Sequence, residues 1–161
     1  MHLNECYKHS TLTAICCSAI LFGLLAFNIH EVSELARQTL IKLNAVHHLG
    51  VSESKMKRYE LLISDDGFFR YRKHLLNGQQ KYYSFNVLRF QDLDYVGNTS
   101  MGTLILRTQG EDVIVQTYND PQGNIDSMAS QVNFPVKSIE AEDLHLIREN
   151  LLQIKGELQL K

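Results

Sequence analysis

The chain has 161 residues, with 16 Lys and Arg, 18 Asp and Glu, and a formal net charge of −2. This balance excludes a generic nucleic-acid-binding surface, which needs an excess of basic residues. The three cysteines, Cys6, Cys16 and Cys17, all stand near the amino terminus, so the remainder of the chain can form no disulfide within itself.

The most informative segment is Thr11 to Ile29, nineteen positions without a charged side chain. A helix of that length, at about 1.5 Å per residue, is roughly as long as the hydrocarbon core of a bilayer is thick. The run does not end in the small residues of a cleavage site, which favours an uncleaved anchor over a signal peptide or a buried soluble helix. Lys8 before the run favours a cytoplasmic amino terminus. We therefore expect a tail at 1–10, a transmembrane anchor at 11–29 and an exported domain at 30–161.

Residues 30–48 are predicted to be helical, and Gly50 is predicted to end the helix. The apolar positions that support this prediction are spaced three or four residues apart: Val32, Leu35, Ala36, Leu40, Leu43 and Val46. Two interpretations stay open, a helix that packs on its own domain and a helix that continues the anchor and pairs with a partner.

Strands with turn signals between them follow this helix. Met56 to Ser64 and Phe68 to Leu76 alternate apolar and polar side chains, and Asp65-Asp66-Gly67 joins them as a hairpin turn. Asn77-Gly78 is the strongest two-residue hairpin signal in the chain. Lys81 to Phe90 is predicted as one strand, and a change in its apolar alternation indicates a bulge.

The second half of the domain continues the same pattern. Gly102 to Thr108 and Asp112 to Tyr118 are predicted as another hairpin, whereas residues 125–137 are ambiguous because Pro135 restricts them to a sheet edge or an irregular stretch. Ser138 is a candidate cap for a helix that Gly156 is predicted to end. Glu157 to Lys161 could then form a last short strand.

The predicted fold class is mainly β, of the α+β kind: a small antiparallel barrel or curled sheet with a helix near each end. Five or six strands are few for a barrel that encloses a ligand, since about eight are needed. An incomplete barrel has an open edge of unpaired backbone groups. We therefore expect a partner to supply a strand.

The sequence carries no motif for catalysis, and the prediction is a protein without enzymatic activity, metal or cofactor. Of the seven histidines, His47 and His48 are adjacent and cannot share one face of a helix. No other residues complete a metal-binding spacing. The segments with Asp and Gly are explained by turn chemistry, since they lack the full pattern of a calcium loop.

Aromatic residues are concentrated in the predicted hairpins, where they could form either a packed core or an apolar chamber with a few polar groups. Strand alternation predicts an inward, ligand-binding side made of Tyr59, Phe69, Tyr71, Tyr83, Phe85, Leu104 and Leu106. His48, at the end of the first helix, is predicted to add a polar contact at the mouth of the chamber. Tyr82 is predicted to face outward.

The first hairpin also collects basic side chains, which are Arg58, Arg70, Arg72, Lys73 and His74. Two interpretations stay open for them. They could be a solvated face that Glu60 partly compensates, or a rim that contacts an anion.

The whole layout resembles the ToxS-type partners of ToxR-type transmembrane transcription factors, and within them the VtrC-like proteins. The residues that carry the likeness are the start MHLNECYKHSTLTAICCSAILFG and the aromatic hairpins KRYELLISDDGFFRYRKHLLNGQQKYYSFNVLRF. The resemblance implies a lipocalin-like barrel that an obligate VtrA/ToxR-like partner completes in the bacterial periplasm. It also implies that the joint chamber binds a bile salt or similar amphipathic ligand and switches on type III secretion genes, and that the protein itself binds no nucleic acid. The resemblance transfers no individual site residue.

Overall fold

The computed structural model describes residues 31–49 and 56–160. The anchor predicted at 11–29 and the helix-ending role predicted for Gly50 lie outside the described residues. Within them, no helix is both long enough and apolar enough to cross a membrane.

The described part of the chain is mainly β, with eight strands in two antiparallel sheets and two helices, which confirms the predicted α+β class. Helix α1 covers residues 31–46, and helix α2 is Ala141–Gln159. In chain order the strands are β1 Met56–Ile63, β2 Phe68–Leu75, β3 Gln80–Asn86, β4 Phe90–Gly97, β5 Met101–Thr108, β6 Val113–Tyr118, β7 Asp126–Ala129 and β8 Gln131–Lys137. The larger sheet has the order β1-β2-β3-β6-β7, and the smaller sheet has the order β4-β5-β8.

Both predicted hairpin turns of the larger sheet are confirmed. Gly67 ends the first turn with a φ of 81°, and its N–H donates to the Ser64 carbonyl at 2.8 Å. Gly78 ends the second with a φ of 86°, and its N–H donates to the Leu75 carbonyl at 3.2 Å. Glycine suits both turns because it adopts a positive φ without a steric cost.

The single strand predicted at Lys81 to Phe90 is wrong. The chain leaves the larger sheet through a 3-10 turn at Val87–Arg89 and enters the smaller sheet as β4. The side chain of Asn86 starts this turn by accepting the Leu88 N–H at 2.9 Å. The change in apolar alternation therefore marks a change of sheet rather than a bulge.

The predicted count of five or six strands is also wrong, because β4 was not separated from β3 and because residues 125–137 form two strands. Ser130 separates β7 from β8, and the two strands belong to different sheets. Pro135 lies in β8, which pairs with β5 alone among the described strands. The restriction of Pro135 to a sheet edge is thus confirmed, and on its outer side the Pro135 carbonyl accepts the His48 N–H at 3.0 Å.

The carboxyl-terminal segment is a continuation of α2 and not a strand. The helix passes through Gly156 and ends at Gln159, so the helix end predicted at Gly156 and the strand predicted at Glu157 to Lys161 are both wrong. Ile154 is fully buried, and Leu158, one turn later on the same face, packs against the core beside Gly67. That contact favours one more helical turn over a short strand that would have no sheet partner.

The two helices pack against the domain and against each other. The apolar stripe of α1 belongs to the core, which favours the interpretation of α1 as a helix of its own domain. Lys42 Nζ lies 2.6 Å from Asp143 Oδ1 and joins α1 to α2. Arg148 Nε lies 2.7 Å from Asp92 Oδ1 and joins α2 to β4. Both helices thus contribute to the core, toward which one face of the larger sheet is turned.

Candidate functional site on the inner face of the larger sheet

We call the core-facing side of the larger sheet the inner face. Its central row consists of Leu61, Tyr71, Tyr83, Val115 and Ser127, which are opposite one another on successive strands from β1 to β7. Toward β1 and β2 the core covers this row, and Tyr71 is fully buried. Toward β7 the cover ends, since Val115 is half-buried and Ser127 is exposed. The inner face is thus closed at one side and accessible at the other.

Five of the predicted ligand residues lie in the closed part. Phe69, Tyr71, Phe85, Leu104 and Leu106 are all buried, the first three from the larger sheet and the two leucines from β5 of the smaller sheet. The rings of Phe69 and Phe85 stack with centroids 5.0 Å apart. These side chains form the packed core between the sheets, and their contact with a ligand stays a prediction.

Two predicted tyrosines stand on either side of this core. Tyr59 and Tyr83 are half-buried, and their ring centroids lie 6.3 Å and 6.2 Å from that of Tyr71. The structure therefore brings three of the predicted tyrosines together across β1, β2 and β3. Tyr82, predicted to face outward, lines a cavity on the opposite side of the sheet with Leu62 and Arg72.

The histidine that reaches into the core is His47, which the sequence analysis did not assign to the site. The His47 ring stacks on Tyr59 at a centroid distance of 3.8 Å, and its Nε2 lies 2.7 Å from the Tyr71 hydroxyl. Burial is the main cause that lowers the pKa of His47 to about 4, and the nearby charge of Lys73 contributes. His47 is therefore neutral at pH 7. His48 is half-buried, and its contact with a ligand stays a prediction.

Lys73 is a second inward polar group that the sequence reasoning placed differently. It was grouped with the basic side chains of the hairpin surface, but it is 4% exposed. Its Nζ lies 5.2 Å from the ring centroid of Tyr71 and 5.3 Å from that of Tyr83. An ammonium over aromatic rings is a favourable cation–π arrangement. The inner face consequently carries a positive charge beside its tyrosines.

A cavity of about 520 Å³ occupies the accessible end of the inner face. Its lining comes from the turn before β3, from β3 and β6, from the following loop and from β7. The lining residues are Gln79, Lys81, Tyr83, Val115, Thr117, Asp120, Pro121, Gln122, Ile125 and Ser127. Tyr83, Val115 and Ile125 supply apolar surface. Lys81 supplies a cation, and Asp120 accepts a hydrogen bond from Gln79 Nε2 at 2.5 Å. The lining therefore combines apolar walls with a few charged and polar groups.

The loop that walls the cavity has a defined conformation. Asp120 O accepts the Gly123 N–H at 3.0 Å, and the Asn124 side chain accepts the Asp120 N–H at 3.1 Å. The Ile125 N–H donates to the Thr117 hydroxyl at 2.7 Å. These bonds close residues 119–125 into a compact turn, and they set the position of Ile125 at the cavity wall.

Among residues 31–49 and 56–160, no three or more His, Cys, Asp or Glu side chains are grouped to hold a metal ion. Comparisons with protein-family models, with curated proteins and with solved structures find no match to this chain. The geometry of the inner face is therefore the main guide to function.

Proposed function

We propose that this protein is a periplasmic co-receptor for bile salts, held in the bacterial inner membrane by the segment at 11–29. In this proposal it forms an obligate heterodimer with a VtrA/ToxR-like transmembrane regulator. The two periplasmic domains complete one lipocalin-like barrel, and the bound ligand promotes expression of virulence genes for type III secretion. The protein itself catalyses no reaction, needs no cofactor and does not contact nucleic acid.

The observation that carries the proposal is the amphipathic cavity on the inner face. A bile salt combines a rigid apolar ring system with hydroxyl groups and an anionic tail. Tyr83, Val115 and Ile125 offer surfaces for the rings, and Lys81 offers a cation for the tail. The cavity volume of about 520 Å³ lies in the range of about 300–1,000 Å³ that small-molecule sites usually have.

The open sheet edges suggest how ligand and partner would be coupled. Within the described strands, β1 pairs only with β2, and β7 pairs only with β6. A partner strand added beside β7 would stand next to the cavity, so that one ligand could contact both chains. A ligand shifts the equilibrium between the separate chain and the heterodimer only if its affinity for the two differs. A ligand that contacts both chains binds the heterodimer more tightly and so supplies that difference.

The proposal is tested by calorimetric titration of glycocholate into the full chain, alone and in complex with the periplasmic domain of the regulator. We expect saturable binding at one site per heterodimer and weaker binding to the chain alone. A complex that shows no heat of binding up to millimolar glycocholate would exclude a bile-salt co-receptor.

A second function is favoured by the β7 edge itself. Met128 and Ile125 are 50% and 52% exposed at this edge, which is the kind of surface that a strand from another protein covers. The alternative is an assembly factor that stabilises its membrane partner by β-augmentation without a ligand. Under this alternative, the chain would raise the melting temperature of the regulator domain although neither protein binds glycocholate.

A further inference from the structure

The larger sheet has a second cavity on its other side, which we call the outer face. This cavity has a volume of about 330 Å³ and is lined by Glu60, Leu62, Arg70, Arg72 and Tyr82. Glu60, Arg72 and Tyr82 are opposite one another across β1, β2 and β3, and Leu62 is opposite Arg70 in the neighbouring row. Because successive strand residues face opposite sides, the outer cavity is separated by the sheet from Tyr71 and Tyr83.

Two guanidinium groups at this cavity have unused hydrogen-bonding capacity. Arg70 Cζ lies 5.4 Å from the Phe68 ring centroid. Its charge helps to lower the pKa of the Asp66 carboxyl, but among the described residues its guanidinium forms no hydrogen bond. Arg72 Cζ lies 5.3 Å from the Tyr82 ring centroid. Its Nε is buried and has no hydrogen-bond partner in the described part of the chain. A buried donor without an acceptor is unfavourable, so an oxyanion at this place would be stabilised.

The charges around the cavity do not cancel. Glu60 is the one carboxylate among the lining residues, and it is shared by three basic groups. Its oxygens lie 3.1 Å from Arg58 Nη1, 3.6 Å from Arg72 Nη1 and 3.0 Å from His74 Nε2. The charge of Arg70 also acts on the carboxylate of Asp66, so two carboxylates stand against Arg58, Arg70 and Arg72 and one positive charge is left in excess. The outer face therefore keeps a local positive excess that complements an anion.

The remaining lining is apolar. Leu62 is 45% exposed beside the cavity, and the Tyr82 ring forms another wall. Exposed Ile114 and Met128 continue the row of Leu62 and Arg70 toward β7. An inorganic ion would leave this apolar surface uncovered, whereas an organic anion would cover it. The small volume limits the occupant to a molecule of about one ring, since small-molecule cavities range from about 300 to 1,000 Å³.

We propose that the outer face carries a separate site for a small organic oxyanion, a carboxylate or phosphate monoester with an aryl or short alkyl body. The charged group lies between Arg70 and Arg72, and the apolar body packs on Leu62 and Tyr82. Guanidinium groups suit this task because their planar forks bind carboxylate and phosphate through two parallel hydrogen bonds.

Fluorine NMR of the full chain tests this site with 4-fluorobenzoate and 4-fluorophenyl phosphate as probes. We expect both anions to bind and the uncharged 4-fluorobenzyl alcohol to bind at least tenfold more weakly. Inorganic phosphate should compete only weakly, because it lacks the apolar body. Equal binding of the alcohol, or full displacement of the probes by equimolar inorganic phosphate, would overturn the proposal.

Variants locate the site on the outer face. Arg70→Gln should weaken probe binding about tenfold or more, because it removes charge-assisted hydrogen bonds. Arg70→Lys keeps the charge but loses the planar pair of donors, and its affinity for the probes should lie between those of Arg70→Gln and the wild type. Glu60→Gln removes the carboxylate that competes for Arg72, so we expect binding several-fold tighter than in the wild type.

Two matched changes serve as controls. Arg107→Gln removes the same charge from the smaller sheet, where Arg107 pairs with Asp94, and should leave probe binding unchanged. Lys81→Gln lies on the inner face and should also leave it unchanged, which separates this site from the proposed bile-salt site. If Arg70→Gln and Arg107→Gln weaken binding equally at unchanged melting temperature, the probes respond to net charge and the proposal is wrong.

Discussion

Tyr82 and Tyr83 are neighbours on β3 that face opposite sides of the larger sheet. Tyr83 lines the inner cavity, and Tyr82 lines the outer one. Tyr83→Phe keeps the volume of the ring and removes one hydroxyl. If that hydroxyl binds a ligand group, the affinity for glycocholate should fall by about 0.5–1.5 kcal/mol, the net value of a typical hydrogen bond. Tyr82→Phe is the matched control and should leave the affinity unchanged, and the reverse result would refute the assignment of faces.

His47 makes the stability of the domain depend on pH. In the folded state burial lowers its pKa to about 4, from about 6.5 in an unfolded chain. Between these values the unfolded chain binds the proton and the folded one does not. Acidification from pH 6.5 to 4 therefore favours unfolding, and above pH 6.5 the effect vanishes.

Because of His47, we expect the free energy of unfolding to fall by up to roughly 3 kcal/mol from pH 6.5 to pH 4, measured by urea denaturation. His47→Gln should show a smaller loss over the same interval, because its side chain does not titrate. His145, exposed on α2, is the control, and His145→Gln should follow the wild type. If His47→Gln showed the same pH dependence of stability as the wild type, His47 would not be its source.

At the same scale, sequence reasoning found the tyrosines of the inner face but did not single out His47, which contacts two of them. His47 follows Leu43 by four residues and therefore shares its buried side of α1, which was a usable signal. The inward position of Lys73 follows from strict alternation with Arg72. It was missed because a lysine among arginines looks like part of a solvated surface, and because one of the two rings beside its ammonium, Tyr83, comes from the neighbouring strand β3.

At the scale of elements, the last turn of α2 contains a glycine that its environment does not require. A methyl group at Gly156 would meet no neighbouring atom within 4 Å, and the residue is exposed. Gly156→Ala should raise the free energy of unfolding by about 0.5–1 kcal/mol, because alanine is the better helix former.

Gly67→Ala is the contrasting variant. Gly67 has a φ of 81°, and a methyl group there would collide with Leu158 of α2. We expect a loss of more than 1 kcal/mol, measured by the same thermal or urea denaturation. If Gly156→Ala were as destabilising as Gly67→Ala, the extension of α2 beyond Gly156 would be wrong.

The sequence predicts those elements whose boundaries are specified by the residues of the boundary itself. Asp65-Asp66-Gly67 and Asn77-Gly78 specify their turns by themselves, so β1, β2 and the start of β3 were predicted correctly. The end of β3 was not, because the capping role of Asn86 in a 3-10 turn looks like an ordinary strand position. The last turn of α2 depends on packing between Leu158 and Gly67, a contact that no local pattern reveals.

At the scale of the whole molecule, the larger sheet has two unlike faces. The inner face carries the tyrosines, Lys73 and Lys81, and it extends from the core to the edge of β7. The outer face presents arginines and exposed apolar side chains. Because a partner strand beside β7 would bind only the folded domain, it should also stabilise it. At a partner concentration of about 100 times Kd, the gain is about 2.7 kcal/mol, seen as a higher melting temperature.

The central claim is that the inner cavity binds the bile salt with Lys81 at its anionic tail. The most direct measurement is calorimetric titration of the heterodimer that carries Lys81→Gln, with glycocholate and with an uncharged bile alcohol. We predict that glycocholate affinity falls about tenfold, while the affinity for the alcohol and the behaviour of the exposed control Lys137→Gln stay unchanged. Equal glycocholate affinity in Lys81→Gln and wild type would contradict the claim.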